Sequence, residues 1–248
     1  MDERSDRLDL AAEFAQISEE LRSQPASQPT LDRIVELAVE TIEPCDACGV
    51  SLRHEDHKVD TPACTSDMVQ KADALQYEYG EGPCLDAIWN LDTYLINDLS
   101  TESRWPRWTP AAAALGVGSV LSLKLDTDGV VEGGLNLYSY KPRVFGLDDV
   151  AAASIFARHA SVALEDVHRV EGLRTALRSR QTIGVAQGML MQRYKLTLDQ
   201  SFEVLRRFSQ NRNIKLRVLA EHLVRTGSVS DLSGLTDAVP HEEAAHLE

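Results

Sequence analysis

The sequence predicts an α+β fold: an antiparallel sheet with helices packed on it, then one long helix, then a small basic helical module. Three observations carry this reading. Strand-like runs between residues 49 and 140 are separated by turn residues and short helical segments. From Leu147 to Arg193 there is no proline and only scattered glycine, which reads as a single helix. Beyond it, two short segments open on helix-start residues, and the region is basic in an otherwise acidic chain.

Taken in order, Ser5 to Ser23 is helical, with Leu10, Phe14, Ile17 and Leu21 in four-three-four spacing like a short coiled-coil seam. "SQPASQPT" breaks it, and Thr30 is the expected cap of a second helix with Leu31, Ile34, Leu37, Ala38 and Ile42 on its apolar face. The strand runs are "GVSLRH", "KVDTPACT", "TYLIND", "VGSVLSLKLD" and "GVVEGGLNLYSY", with "DTDG" as a hairpin turn between the last two. Helices are expected over Asp67–Tyr77, Cys84–Asn90 and Arg107–Leu115. In the long helix, Phe156, Ala160, Ala163, Val167, Val170, Arg174 and Leu177 alternate four and three. That heptad seam, flawed by Arg174, predicts a homodimer. Thr197 and Gln200 form a capping box for a helix whose apolar face is Leu198, Phe202 and Leu205. Asn213 is the expected cap of the last helix, with Leu216, Leu219, Ala220 and Leu223 facing inward.

Charge divides the chain. The net charge of −14 conceals a segment from Gly172 to Gly227 with eleven Lys and Arg against Asp199, Glu203 and Glu221, a net of +8. Residues 1–171 carry −17, and the tail from Ser228 carries −5. A polyanion partner is therefore expected at one module only. No run approaches the roughly 18 apolar residues of a membrane span, and the charged start "MDERSDRLDL" does not read as a signal peptide, so a cytoplasmic protein is expected.

Four cysteines are present. Cys45 and Cys48 form a C-x-x-C, but Cys64 and Cys84 lie twenty apart and supply no second zinc-like pair, so buried structural roles are favoured over a metal site. Cys84 follows Pro83 at a helix start, which predicts a lowered thiol pKa. His54, His57, His159 and His168 pair with no nucleophile and no metal-ligand spacing, so no catalytic residue and no metal is expected.

The stretch "SRQTIGVAQGMLMQRYKLTLDQSFEVLRRFSQNRNIKLRVLA", Ser179 to Ala220, resembles the ANTAR RNA-binding domain. The matching positions are Ala186, Gln187, Gly188, Leu190, Met191, Arg193, Leu205, Arg206, Lys215, Leu216, Arg217 and Ala220. Ser201 departs from the usual Ala. "LQYEYGEGPCLDAIW", Leu75 to Trp89, resembles the GAF domain found ahead of ANTAR in actinobacterial regulators. They imply a GAF-like sensor over 28–168 and an ANTAR domain over 180–227, and periodicity and composition add an N-terminal helix over 1–27, a coiled-coil linker helix over 150–179 and a disordered acidic tail over 228–248. The resemblance implies a transcription antitermination regulator that binds paired short-loop RNA hairpins, with a GAF domain sensing a small ligand or a redox signal. No cofactor can be named. Cys84, Trp89, Tyr94, Trp105 and Trp108 are candidate pocket residues, although large aromatics are more often plain core.

The module's two glycines acquire a role on this reading. Each costs about 1 kcal/mol against alanine inside a helix. Arg180, Gly184, Gln187 and Met191 lie on one helical stripe, with Gly188 beside it. Such a flat floor with polar edges suits unstacked loop bases. Close helix packing is the alternative use of the glycines. Arg193, Arg206, Lys215 and Arg217 are expected on phosphates, and Asn213 is divided between cap and base contact. A DNA-binding regulator, and a ligand-sensing dimer with a protein-binding basic tail, are the competing functions.

Overall fold

The computed structural model describes residues 3–54, 57–90, 92–127 and 130–227. The acidic tail 228–248 and the tip of the "DTDG" turn lie outside them, as does the side chain of Leu10. Two compact units divide the chain at Val170 and Glu171.

The first unit is built on a five-stranded antiparallel sheet. Its strands are β1 (Ala47–Arg53), β2 (Val59–Cys64), β3 (Tyr94–Ile96), β4 (Ser119–Thr127) and β5 (Val130–Ser139), ordered β2-β1-β5-β4-β3. The side-chain period of two sorts each strand between the two faces. Cys48, Val50, Leu121, Leu123, Leu125, Leu135 and Leu137 form one buried face. Helices α1 (Glu3–Arg22) and α2 (Ser27–Thr41) and the start of α6 (Leu147–Tyr194) supply its partners, among them Phe14, Ile17, Leu21, Ile34 and Phe156. The other face packs on α3 (Asp67–Tyr79), α4 (Pro83–Asn90) and α5 (Trp108–Ala114), around Val69, Ala72, Trp105, Trp108 and Tyr138.

Several sequence expectations change here. Helix α2 begins at Ser27, not at Thr30, because Pro29 falls in its first turn, where a missing N–H leaves no intrahelical bond unmade. Thr30 is buried in that turn and its hydroxyl donates to the Ala26 carbonyl at 2.9 Å. The seam residues Phe14, Ile17 and Leu21 of α1, and Phe156, Ala160 and Ala163 of α6, are buried in this unit's own core and are not free to join a second copy, and Val167 is 9% exposed. A heptad pattern records an apolar stripe and does not say which partner covers it. Val170 and Leu177 remain exposed.

The motif "YGEGPC" is an architectural joint. Gly80 ends α3 in the left-handed region at φ 66°. Gly82, at φ +146°, lies against the Gln76 side chain, whose Oε1 accepts from the Cys84 backbone N–H at 2.8 Å and so caps α4. The Glu81 carboxylate accepts from the backbone N–H groups of Arg107 and Trp108 and starts α5.

The second unit packs the end of α6 against α7 (Leu198–Arg212) and α8 (Leu216–Thr226), around Ala186, Leu190, Leu205, Ile214, Leu219, Ala220 and Leu223. The expected capping box is present: Thr197 accepts from the Gln200 N–H, and Gln200 accepts from the Thr197 N–H. Asn213 does not cap α8. It closes α7 in the left-handed region at φ 51°, a conformation asparagine tolerates, and Lys215 occupies the α8 cap position. The inner face of α7 is Ser201 and Leu205, whereas Leu198 and Phe202 point to solvent.

Candidate functional site

In the second unit, Gly184 and Gly188 are exposed, and a Cβ built on either meets nothing within 4 Å. No packing contact in the described chain requires a glycine at either position. Arg180 is exposed beside them and Met191 is half-buried. Gln187 is half-buried, and its amide donates to the Leu198 carbonyl at 3.1 Å and, more weakly, to Ser201 Oγ at 3.5 Å. Ser201 in turn donates to the Leu198 carbonyl at 2.7 Å. The serine that departs from the family pattern thus joins a polar link between α6 and α7.

The cations differ in readiness. Arg193 Nη1 donates to the Gly227 carbonyl at 2.8 Å, closing the C-terminus of α8. Arg206 and Arg207 share the Glu203 carboxylate at 2.9 and 3.1 Å, and their hydrogen bonds hold its pKa down at about 2. Arg217 lies 3.8 Å from Glu221. Arg180, Lys195, Arg212 and Lys215 make no ion pair among the described residues. Replacing Glu203→Gln frees two guanidinium groups. We expect tighter binding to a polyanion, by a few-fold, with a salt slope steeper by up to about one unit. Unchanged affinity and slope in a salt titration would place Arg206 and Arg207 away from the bound strand.

The first unit holds a buried polar centre that sequence reading missed. The α4 side of the sheet presents Gly49, Ser51, Gly134 and Asn136 where apolar side chains are usual. Asp73 of α3, fully buried, sits over them. Its Oδ1 accepts from Gln76 Nε2 at 3.1 Å, Asn136 Nδ2 at 3.3 Å and the Tyr138 hydroxyl, and its Oδ2 accepts from Thr61 Oγ1 at 3.0 Å. Tyr77 bridges Thr61 and Ser51 at 2.6 Å each. Gly49 lets α3 approach, since a Cβ there would lie 3.0 Å from Asp73 Oδ2. Burial raises the Asp73 pKa to about 6, while its four hydrogen-bond donors pull it back down.

Cys84 joins this centre, its thiol donating to Ser51 Oγ at 3.1 Å. Burial, with the Asp73 charge second, pushes its pKa up to about 12. The expected lowering at the helix start is overturned, because the thiol points into the core and gains little from the helix end. Cys45 is likewise pushed up to about 12 by burial, and Cys48 also rises. The other candidate pocket residues separate. Tyr94, Trp105 and Trp108 meet edge to face, with Trp105 Nε1 donating to Asp86 and Trp108 Nε1 to the Ala72 carbonyl. Trp89 is exposed under Arg53, with His57 beside it. A surface cleft of about 520 Å³ lies elsewhere, lined by residues that include Asn97, Asp98, Glu102, Arg143 and Phe145 and by none of the five. Among the described residues no group of three His, Cys, Asp or Glu side chains is placed to hold a metal, and no helix is long and apolar enough to cross a membrane.

Comparison with known proteins matches the GAF domain model to residues 27–165 and the ANTAR domain model to residues 171–224. Among solved structures, the GAF domain of a phosphoenolpyruvate-protein phosphotransferase from Coxiella burnetii superposes with a TM-score of 0.54 at 17% identity, over 67% of this chain and 98% of that one. The corresponding Acinetobacter GAF domain gives 0.52 at 15%, over 66% and 97%. The free methionine-R-sulfoxide reductase of Neisseria meningitidis gives 0.52 at 15%, over 63% and 89%. At such identities the likeness is one of fold. No curated protein matches this chain.

Proposed function

We propose, from the premise that this chain belongs to the GAF domain family and carries an ANTAR domain behind it, that it is a regulator binding paired short-loop RNA hairpins in nascent transcripts. Binding the hairpins disfavours a competing terminator, and transcription continues. One observation carries the RNA reading: two helical glycines, costly to helix stability, face open space on a module of charge +8. Arg180, Gln187 and Met191 border that floor, and Lys215, Arg217, Arg206 and Arg193 supply phosphate contacts. Asn213, exposed in its left-handed turn, is free to meet a base or phosphate. On this reading the chain acts in the cytoplasm as a regulator and not as an enzyme.

The sensor signal is a small ligand and not oxidation of Cys84, since a buried thiol with a raised pKa is a poor nucleophile. It is transmitted through α6, to which both units contribute residues. The chain pairs with a second copy through the solvent-facing part of α6, where Leu173 and Leu177 are 62% and 66% exposed. Leu173→Glu with Leu177→Glu should yield a folded monomer in sedimentation at micromolar concentration, with a melting temperature that no longer depends on protein concentration. A wild-type chain that sediments as a monomer contradicts the pairing.

Single-round transcription tests the function. The template's leader should fold either as two hairpins or as a terminator. Added protein should raise readthrough, and readthrough that stays flat at saturating protein contradicts the proposal.

A further inference from the structure

Helix α7 exposes what an amphipathic helix ordinarily buries. Leu198 is 59% and Phe202 41% exposed, while Ser201 and Leu205 are turned inward and buried. The two exposed side chains share one face, four residues apart, and Arg206 follows on the same face four residues later. The Gln187 amide, 3.1 Å from the Leu198 carbonyl, ties the start of this face to the glycine-bearing stripe of α6. Tyr194, 55% exposed with the Arg193 guanidinium 5.7 Å from its ring centre, continues that stripe one turn past Met191.

We infer that Phe202, seconded by Tyr194, is a stacking platform for unpaired bases of the RNA hairpin loop. The inference rests on the RNA reading above and deepens it. Aromatic rings hold splayed bases in sequence-tolerant fashion, and a cation one helical turn on, about 6 Å away, is placed for the same strand's phosphate. Charge decides the occupant. Asp199 and Glu203 offset Arg206, Arg207 and Arg212 only in part, and the module around this face carries +8, so a nucleic acid strand brings the opposite charge whereas a second copy of the module brings the same one. The glycine floor then receives a base edge-on to Gln187, and the ring receives a neighbouring base face-on.

The test uses the full chain and a hairpin-pair RNA enriched from a pool with randomised short loops, with 2-aminopurine in place of a loop adenine. Wild-type protein should bind and quench the fluorophore by stacking. Phe202→Leu, which keeps apolar volume and charge, should bind about tenfold more weakly with an unchanged salt slope and lose most of the quench at saturation. Phe202→Trp should restore both. Wild-type binding that Phe202→Leu matches in affinity and quench overturns the platform and leaves the RNA reading standing. If wild-type protein binds no enriched hairpin, the RNA reading falls and the platform with it. Should Phe202→Leu melt early, Phe202→Trp decides: a quench at least as deep as wild type supports stacking, and a shallower one refutes it. A Phe202→Leu chain that changes its sedimenting mass and loses RNA only in proportion assigns the face to a second copy.

Discussion

Gly188→Leu should weaken hairpin binding about a hundredfold while the melting temperature holds or rises. Leucine is a better helix former than glycine, which is about 0.8–1 kcal/mol worse than alanine inside a helix, and a Cβ at position 188 meets nothing within 4 Å. The leucine side chain instead stands over the stripe formed by Gly184 and Gln187. We expect affinity to fall by about two orders of magnitude, or ~2.7 kcal/mol. Gly172→Leu is the control, because Gly172 is equally open and lies outside the floor; it should raise stability and leave binding alone. The comparison is a circular dichroism melt beside a hairpin titration. Early melting of Gly188→Leu, with binding that tracks the folded fraction, would mean the glycine serves packing.

The second large effect lies in the first unit. Asp73→Leu should prevent it from folding, because Tyr138, Asn136, Gln76 and Thr61 all lose their common acceptor, and each buried group left unpaired costs about 1–3 kcal/mol. Asp73→Asn should fold, since its oxygen can accept three of these bonds and its amide can donate to Thr61. The two proteins should differ in pH dependence. The folded-state pKa of Asp73 is raised from 3.8 to about 6, so its proton stabilises the fold fully below about pH 4, and that contribution is lost as pH rises through 6. About two pKa units correspond to roughly 3 kcal/mol, an upper bound. Asp73→Asn lacks this dependence, so it should match or exceed wild type at pH 7 and lose that advantage on acidification towards pH 4. All three tryptophans lie in this unit, so intrinsic fluorescence during urea unfolding reports it selectively. A stability difference that does not change with pH would show that Asp73 does not titrate in this range.

Local chemistry was the legible part of the sequence. Alternation in "VGSVLSLKLD" and its neighbours marked the strands, and the Thr197 capping box and the unbroken α6 emerged as expected. What failed needed tertiary partners. Phe156 and Ala160 carry a heptad pattern, yet the core of their own unit covers them. Phe202 has the spacing of a core residue, yet Ser201 and Leu205 take the inner face. The Asp73 centre joins residues as far apart as Ser51 and Asn136, which no local window spans. A signal was present: Gly49 and Ser51 on β1, and Gly134 and Asn136 on β5, occupy alternate positions of one sheet face where a uniformly apolar core would place larger side chains. Asn213 shows the limit of cap assignment, since the same residue type starts one helix or ends another according to its φ.

The most direct measurement is a titration of the full chain, at one salt concentration, against three ligands of matched length: the enriched hairpin-pair RNA, the same RNA with scrambled loops, and duplex DNA. Scrambling the loops should cost at least about tenfold, or ~1.4 kcal/mol, and duplex DNA should bind only with weak, steeply salt-dependent affinity. Equal affinity for all three would reduce the module to a nonspecific cation surface, and preference for the duplex would make the chain a DNA-binding regulator.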